Sequence, residues 1–171
     1  MDLELLDWLN TYTFPQEARY EDTEFAKEAY SIFTEDMKKS PNTRACIFGT
    51  LHVPATEILM EQLDKTGIKA MVGKVNMDRN GSPQLQEESA QASADATVQW
   101  IKDTLDKFEN VKPILTPRFT PSCSDELMEK LSEIQKRYHL PMQSHLSENF
   151  SEIAWVRELC PNTHFYGEAY S

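Results

Sequence analysis

Hydrophobic positions in this chain switch repeatedly between a helical spacing and short unbroken runs. Over residues 22–39, Phe25, Ala26, Ala29, Tyr30, Ile32, Phe33 and Met37 recur at helical spacing, and Asp22 or Thr23 can cap the helix. Ser40-Pro41-Asn42 is turn chemistry, and 44–51 then reads as a strand built on Ala-Cys-Ile-Phe, with Gly49 near its end. The alternation continues with a helix over 54–65, with Pro54 suited to its first turn and Gly67 closing it. A strand over 68–77, a polar turn over 78–83 and a long helix over 87–108 follow, the last with Ala94, Val98, Ile101, Leu105 and Phe108 as apolar positions. Residues 111–115 make a third strand, and 124–138 a helix with Leu127, Met128, Leu131 and Ile134 on one face. A short strand over 141–145 and a helix over 149–159 complete the pattern. Ahead of it all, Leu3, Leu5, Leu6, Trp8 and Leu9 form an apolar cluster that Phe14-Pro15 is expected to end.

Strands that alternate with helices predict an α/β fold with a parallel sheet, because parallel neighbours need a crossover and a helix supplies it. The strands show no sustained polar alternation, which predicts helices or other chain over both faces. No glycine fingerprint follows the first strand, so nothing favours a dinucleotide fold. An open sheet and part of a barrel fit the pattern equally well.

With 171 residues and 40% hydrophobic content the chain can bury a core, and it reads as a single domain over 1–171. A complete (β/α)8 barrel typically needs about 250 residues, so this length holds only part of one. The formal charge of −11 argues against nucleic acid or an anionic membrane as partner and is compatible with a small neutral substrate. Cys46, Cys123 and Cys160 are widely spaced, which suits a reduced thiol set rather than a disulfide framework. Acidic residues near Met1 do not resemble a signal peptide, and no run approaches the ~20 apolar residues of a membrane span. The expectation is a soluble, cytoplasmic protein.

Candidate chemistry concentrates at the predicted strand ends. His145 closes a strand, where a neutral imidazole can serve a metal, and Glu148 lies three residues on, within reach of a metal-bound water. The competing explanation is a helix start, with Ser147 as cap and Glu148 complementing the helix dipole, and spacing alone favours it. Arg118 and Phe119 follow the preceding strand between two stiffening prolines, and suit a carbonyl-bearing heterocycle as well as they suit a surface ion pair and a core ring. His52, Lys74 and Asp78 could line a pocket mouth, though loop polarity and surface charge explain them more simply. His139 fits a helix C-terminus and His164 a loop. Trp8, Trp100 and Trp155 read as core, and Glu87-Glu88 as a solvated helix face.

Pro-Met-Gln-Ser-His-Leu-Ser-Glu-Asn (141–149) resembles the fifth-strand motif of guanine deaminases in the amidohydrolase superfamily. Ile-Leu-Thr-Pro-Arg-Phe (114–119), Val-Gly-Lys-Val-Asn-Met-Asp (72–78) and Leu-Leu-Asp-Trp-Leu-Asn-Thr-Tyr-Thr-Phe-Pro (5–15) resemble the same family, in the same order. The likeness runs over about 3–166. It implies a metal-dependent (β/α)8 barrel that binds one zinc and hydrolyses guanine to xanthine and ammonia, paired as a homodimer when complete. His145 would match the strand-five metal ligand, and also touch substrate. Glu148 would match the glutamate that carries a proton from water to the purine, and Arg118 and Phe119 the residues that hold guanine.

The family's further ligands are a His-x-His pair on the first strand, a histidine after strand six and an aspartate after strand eight. No His-x-His occurs in this chain, and His164 is too close to His145 to be the strand-six ligand. The resemblance therefore covers strands two to five, and the expectation is an inactive segment that does not retain zinc alone, since zinc needs about four ligands. Two alternatives remain: a related deaminase of purine or triazine rings, and a non-catalytic half-barrel acting as an interaction module.

Overall fold

A computed structural model describes residues 5–170. Leu3 and the side chain of Leu6, both counted in the N-terminal apolar cluster, lie outside the described residues. The cluster does not stop at proline. It folds as α1 (Leu5–Trp8), a π-helical turn (Leu9–Thr13) and α2 (Phe14–Ala18), with Pro15 in the first turn of α2, where a missing N–H costs nothing.

In α3 (Thr23–Lys39) the Asp22 carboxylate caps the helix by accepting from the Glu24 N–H at 2.9 Å. Its buried face is Ala26, Tyr30 and Thr34, while Ile32 and Phe33, expected on that face, are exposed. There follow β1 (Arg44–Phe48), α4 (Val53–Asp64), β2 (Lys69–Gly73), β3 (Val75–Asn76) and α5 (Ala90–Thr104). The chain continues through β4 (Val111–Pro113), β5 (Thr116–Pro117), α6 (Asp125–Tyr138) and α7 (Phe150–Leu159).

All pairings are parallel. The order is β1-β2-β4, and β3 beside β5 prolongs the middle pair after a break at Lys74. The strand expected over 141–145 pairs through a single bridge, Leu115 with Met142. Backbone bonds from Leu115 N to Pro141 O (3.0 Å) and from Gln143 N to Leu115 O (2.9 Å) hold that bridge. The middle strands approach closely at Gly73, where a Cβ would sit 1.7 Å from Thr116 Oγ1 and 2.9 Å from the Ile114 carbonyl oxygen.

Helices cover one face of this arc. Leu59, Met60 and Leu63 of α4, Trp100 and Ile101 of α5, and Leu127 and Leu131 of α6 are fully buried with Val72 and Val111 of the sheet. Each such large side chain contributes about 1.5–3 kcal/mol by leaving water. The opposite face is not covered as expected: burial alternates along β2, Cys46 is exposed, and Met71 is 38% exposed.

The long helix begins at Ala90 rather than at 87, because Ser89 caps it by accepting from the Ala92 N–H at 3.1 Å. Glu87 is consequently not a solvated helix residue, and Lys74 is not a surface charge. Lys74 is 1% exposed and its ammonium pairs with Glu87, whose second oxygen accepts from the Met77 N–H at 3.1 Å and from the Ser93 hydroxyl. Burial lowers the lysine's affinity for its proton, and the Glu87 carboxylate opposes that shift. Removing one partner leaves a buried charge alone. Glu87→Met should therefore cost about 3–5 kcal/mol in urea unfolding, and Lys74→Met/Glu87→Met should cost less than the two single changes together. Strictly additive costs would show that the two groups are not one unit.

Candidate functional site

Parallel strands deliver their C-terminal ends to one edge of the sheet, and there the structure forms a cleft of about 290 Å³. Arg118, Phe119, His145 and Glu148 line it, with Trp8 and Leu9 of the N-terminal helical segment forming another wall. All four residues singled out in the sequence thus share one cleft.

Backbone bonds between adjacent strand ends build it. Arg118 donates its N–H to the Asn76 carbonyl at 3.1 Å, and its own carbonyl accepts from the His145 N–H at 3.2 Å. The same carbonyl lies 2.8 Å from His145 Nδ1. A carbonyl has no proton to give, so Nδ1 carries the hydrogen, and in the neutral imidazole Nε2 keeps its lone pair. Phe48 packs against the ring with centroids 4.3 Å apart. The Tyr170 hydroxyl donates to the His145 carbonyl at 2.7 Å and accepts from the Thr120 N–H at 3.1 Å. The histidine is therefore fixed at ring, backbone and tautomer.

Glu148 is held differently. Ser147 adopts a left-handed conformation (φ 57°) and is not the helix cap. Asn149 caps α7 instead, in a capping box with Glu152. Fully buried Glu152 accepts from the backbone N–H of Glu148 at 2.6 Å and of Asn149 at 3.3 Å, while its other oxygen accepts from the Tyr166 hydroxyl at 2.5 Å. Burial, followed by the bond to Glu152, raises the Tyr166 phenol far above its ordinary value, so that it stays a donor. For Glu148 the helix-start explanation loses its cap, which is Asn149 and not Ser147. The Glu148 backbone is pinned ahead of the cap, and its side chain is exposed at the cleft.

Arg118 is not part of a surface ion pair. It is 9% exposed, its Nη1 donates to Glu17 Oε2 at 2.7 Å, and its guanidinium carbon lies 4.8 Å from the centre of the Phe14 ring. Phe119, 6% exposed, meets Trp155 edge-on with centroids 6.4 Å apart. Among the described residues lining the cleft, His145 offers a metal its Nε2, with the tautomer a metal ligand requires. Among the described residues no three His, Cys, Asp or Glu side chains come together to hold an ion.

The model of the amidohydrolase family matches residues 1–168. This chain belongs to the amidohydrolase family. Guanine deaminase of Rattus norvegicus is 43% identical over 99% of the chain, and that of Escherichia coli strain K12 is 34% identical over 98%. The chain spans 38% of the length of either relative. A crystal structure of guanine deaminase from C. acetobutylicum with bound guanine superposes at a TM-score of 0.95 and 48% identity, over 99% of this chain and 40% of that one. The sheet described above is accordingly an arc of a (β/α)8 barrel, and the ambiguity between open sheet and barrel is resolved. No described helix is long and apolar enough to cross a membrane.

Asp78, His139 and His164 do not line the cleft. Asp78 accepts from the Ser124 N–H at 2.7 Å and from the Ser124 hydroxyl, tying a loop to the start of α6. His139 terminates α6 in a left-handed conformation, and His164 is an exposed loop residue. Of the tryptophans, Trp100 is core at 0% exposure, whereas Trp8 and Trp155 are half-buried at the cleft and against Phe119. Glu17, Glu152 and Tyr170 were not anticipated. Glu17 lies just past the 5–15 motif, and Glu152 carried only the capping-box spacing after Asn149.

His52 precedes α4 without capping it, and its Nε2 is buried with no hydrogen-bond partner. Burial holds its imidazole below the ordinary 6.5, against the opposing pull of Glu21 and Glu17. On acidification the unfolded chain takes up this proton first. Stability from neutral His52 is therefore complete above the ordinary value and is lost as pH falls towards the lowered folded-state value. Urea unfolding at about pH 8 and about pH 5 should show a smaller acid-side loss in His52→Gln than in the parent. An equal loss would place the titrating group elsewhere.

Proposed function

We propose that this chain is the strand-two-to-five part of a guanine deaminase, which hydrolyses guanine to xanthine and ammonia. The observation that carries the reading is the single cleft in which Arg118, Phe119, His145 and Glu148 meet. The guanine-deaminase names of the relatives, and the guanine bound in one solved homologue, favour guanine over other purine or triazine rings.

Arg118 donates to a carbonyl of the ring, and Phe119 and Trp8 pack against its apolar surface. His145 offers Nε2 as one ligand to zinc. When bound, zinc supplies a water acidic enough to react at neutral pH. Glu148, an exposed carboxylate lining the cleft, would carry one proton of the attacking water to a ring nitrogen and the second, from the resulting hydroxyl, to the departing ammonia. The remaining ligands are not among the described residues, so the assignment concerns the intact protein. A single barrel domain, a homodimeric assembly and a cytoplasmic location belong to the same reading. Three free cysteines suit a reducing compartment, and the net charge of −11 suits a neutral ring better than a nucleic acid or an anionic membrane.

Metal content and xanthine formation, measured on the intact protein, test the roles. Glu148→Gln should keep its zinc and lose turnover by about 10²–10⁴-fold. His145→Ala should lose zinc. Arg118→Ala should mainly raise KM for guanine. Normal turnover in Glu148→Gln, or unchanged guanine binding in Arg118→Ala, would remove the corresponding assignment.

A further inference from the structure

We infer that Glu17 sets the charge preference of the cleft: by neutralising Arg118 it selects an uncharged carbonyl-bearing ring over an anion of similar shape. The inference rests on the reading of this cleft as a purine site. An arginine by itself favours anions, because its planar fork matches carboxylate and phosphate. Here that demand is already met from within the protein by the Glu17 carboxylate, 2.7 Å from Nη1. The two side chains are 13% and 11% exposed, so solvent screens the pair only weakly.

Glu17 and Phe14 lie three residues apart on α2, on one face of the helix. The carboxylate holds an edge of the guanidinium while the Phe14 ring lies 4.8 Å from its central carbon, so one short helix fixes both the charge and the plane of Arg118. The second carboxylate oxygen, Oε1, is buried and has no hydrogen-bond partner, leaving Arg118 as the group's hydrogen-bonded anchor. A neutral lactam carbonyl accepts a hydrogen bond without needing a counter-charge. An anionic purine entering the same cleft meets Glu17 behind the arginine and gains little. Xanthine is more acidic than guanine, so the same device disfavours retention of the product.

Two purines that cannot be deaminated make the test independent of turnover. Hypoxanthine is uncharged at neutral pH, whereas urate is an anion. Their affinities would be measured by calorimetry for the intact protein and its variants. In Glu17→Gln the affinity ratio should move towards urate by about tenfold, while Glu17→Asp, which keeps the charge, should stay near the parent ratio. A ratio of affinities is insensitive to the folded fraction, so a loss of stability alone in a variant would not move it. An unchanged ratio in Glu17→Gln, or the same shift in the charge-conserving Glu17→Asp, overturns the inference. If the parent binds neither purine, the purine reading itself is wrong and the inference falls with it, an outcome distinct from purine binding with an unmoved ratio.

Discussion

One peptide carbonyl organises the site. The oxygen of Arg118 accepts from both the backbone N–H and the ring Nδ1 of His145, while the N–H of Arg118 donates to Asn76 on the neighbouring strand. The carbonyl thereby joins the third strand end to the fourth, orients an imidazole and decides which of its nitrogens is left to act as donor. The side chain of the same residue lines the cleft. Substrate contact and metal contact are therefore not independent in the proposed site, because displacing the backbone at Arg118 would disturb both.

Carboxylates turned into the fold, with Glu152 fully buried and Glu87 and Asp78 partly so, provide a second layer of support. Glu87 takes the Met77 N–H and the Lys74 ammonium, Glu152 takes the two N–H groups around Glu148, and Asp78 takes the N–H at the start of α6. Each satisfies a backbone donor at a strand end or turn that regular structure leaves unpaired, where an unmet buried group would cost about 1–3 kcal/mol. A formal charge of −11 thus overstates the acidity of the surface. Several of these acids act as internal hydrogen-bond acceptors, and composition alone could not separate them from solvated ones.

What could be read from the sequence followed the range of the forces involved. Helix and strand positions were legible because their periodicity reports burial locally, and the capping role of Asp22 because a cap lies next to what it caps. The limits of that reading lie at Glu87 and Ser147, where the side chain's partner was not the nearest backbone. Arg118 and Glu17 lie 101 positions apart, and no local pattern connects them. His145 and Glu148 were ambiguous on spacing and were singled out by resemblance. The resemblance marked residues that line the cleft, but not the supports Glu17, Glu152 and Tyr170, which act through other residues.

The charges of the cleft follow from these supports. Arg118 is compensated by Glu17, and the Arg118 carbonyl, which only accepts, makes His145 Nδ1 the donor of that ring. Among the described residues lining the cleft, Glu148 is the carboxylate that no ion pair holds, on a backbone that Glu152 and the Ser147 turn fix in place. A cleft with this balance favours a cation and a neutral ring together, and resists anions. Neutralising Arg118 and leaving Glu148 unpaired are thus two aspects of one arrangement, in which the short N-terminal helix α2 sets the electrostatics of residues that the sheet positions.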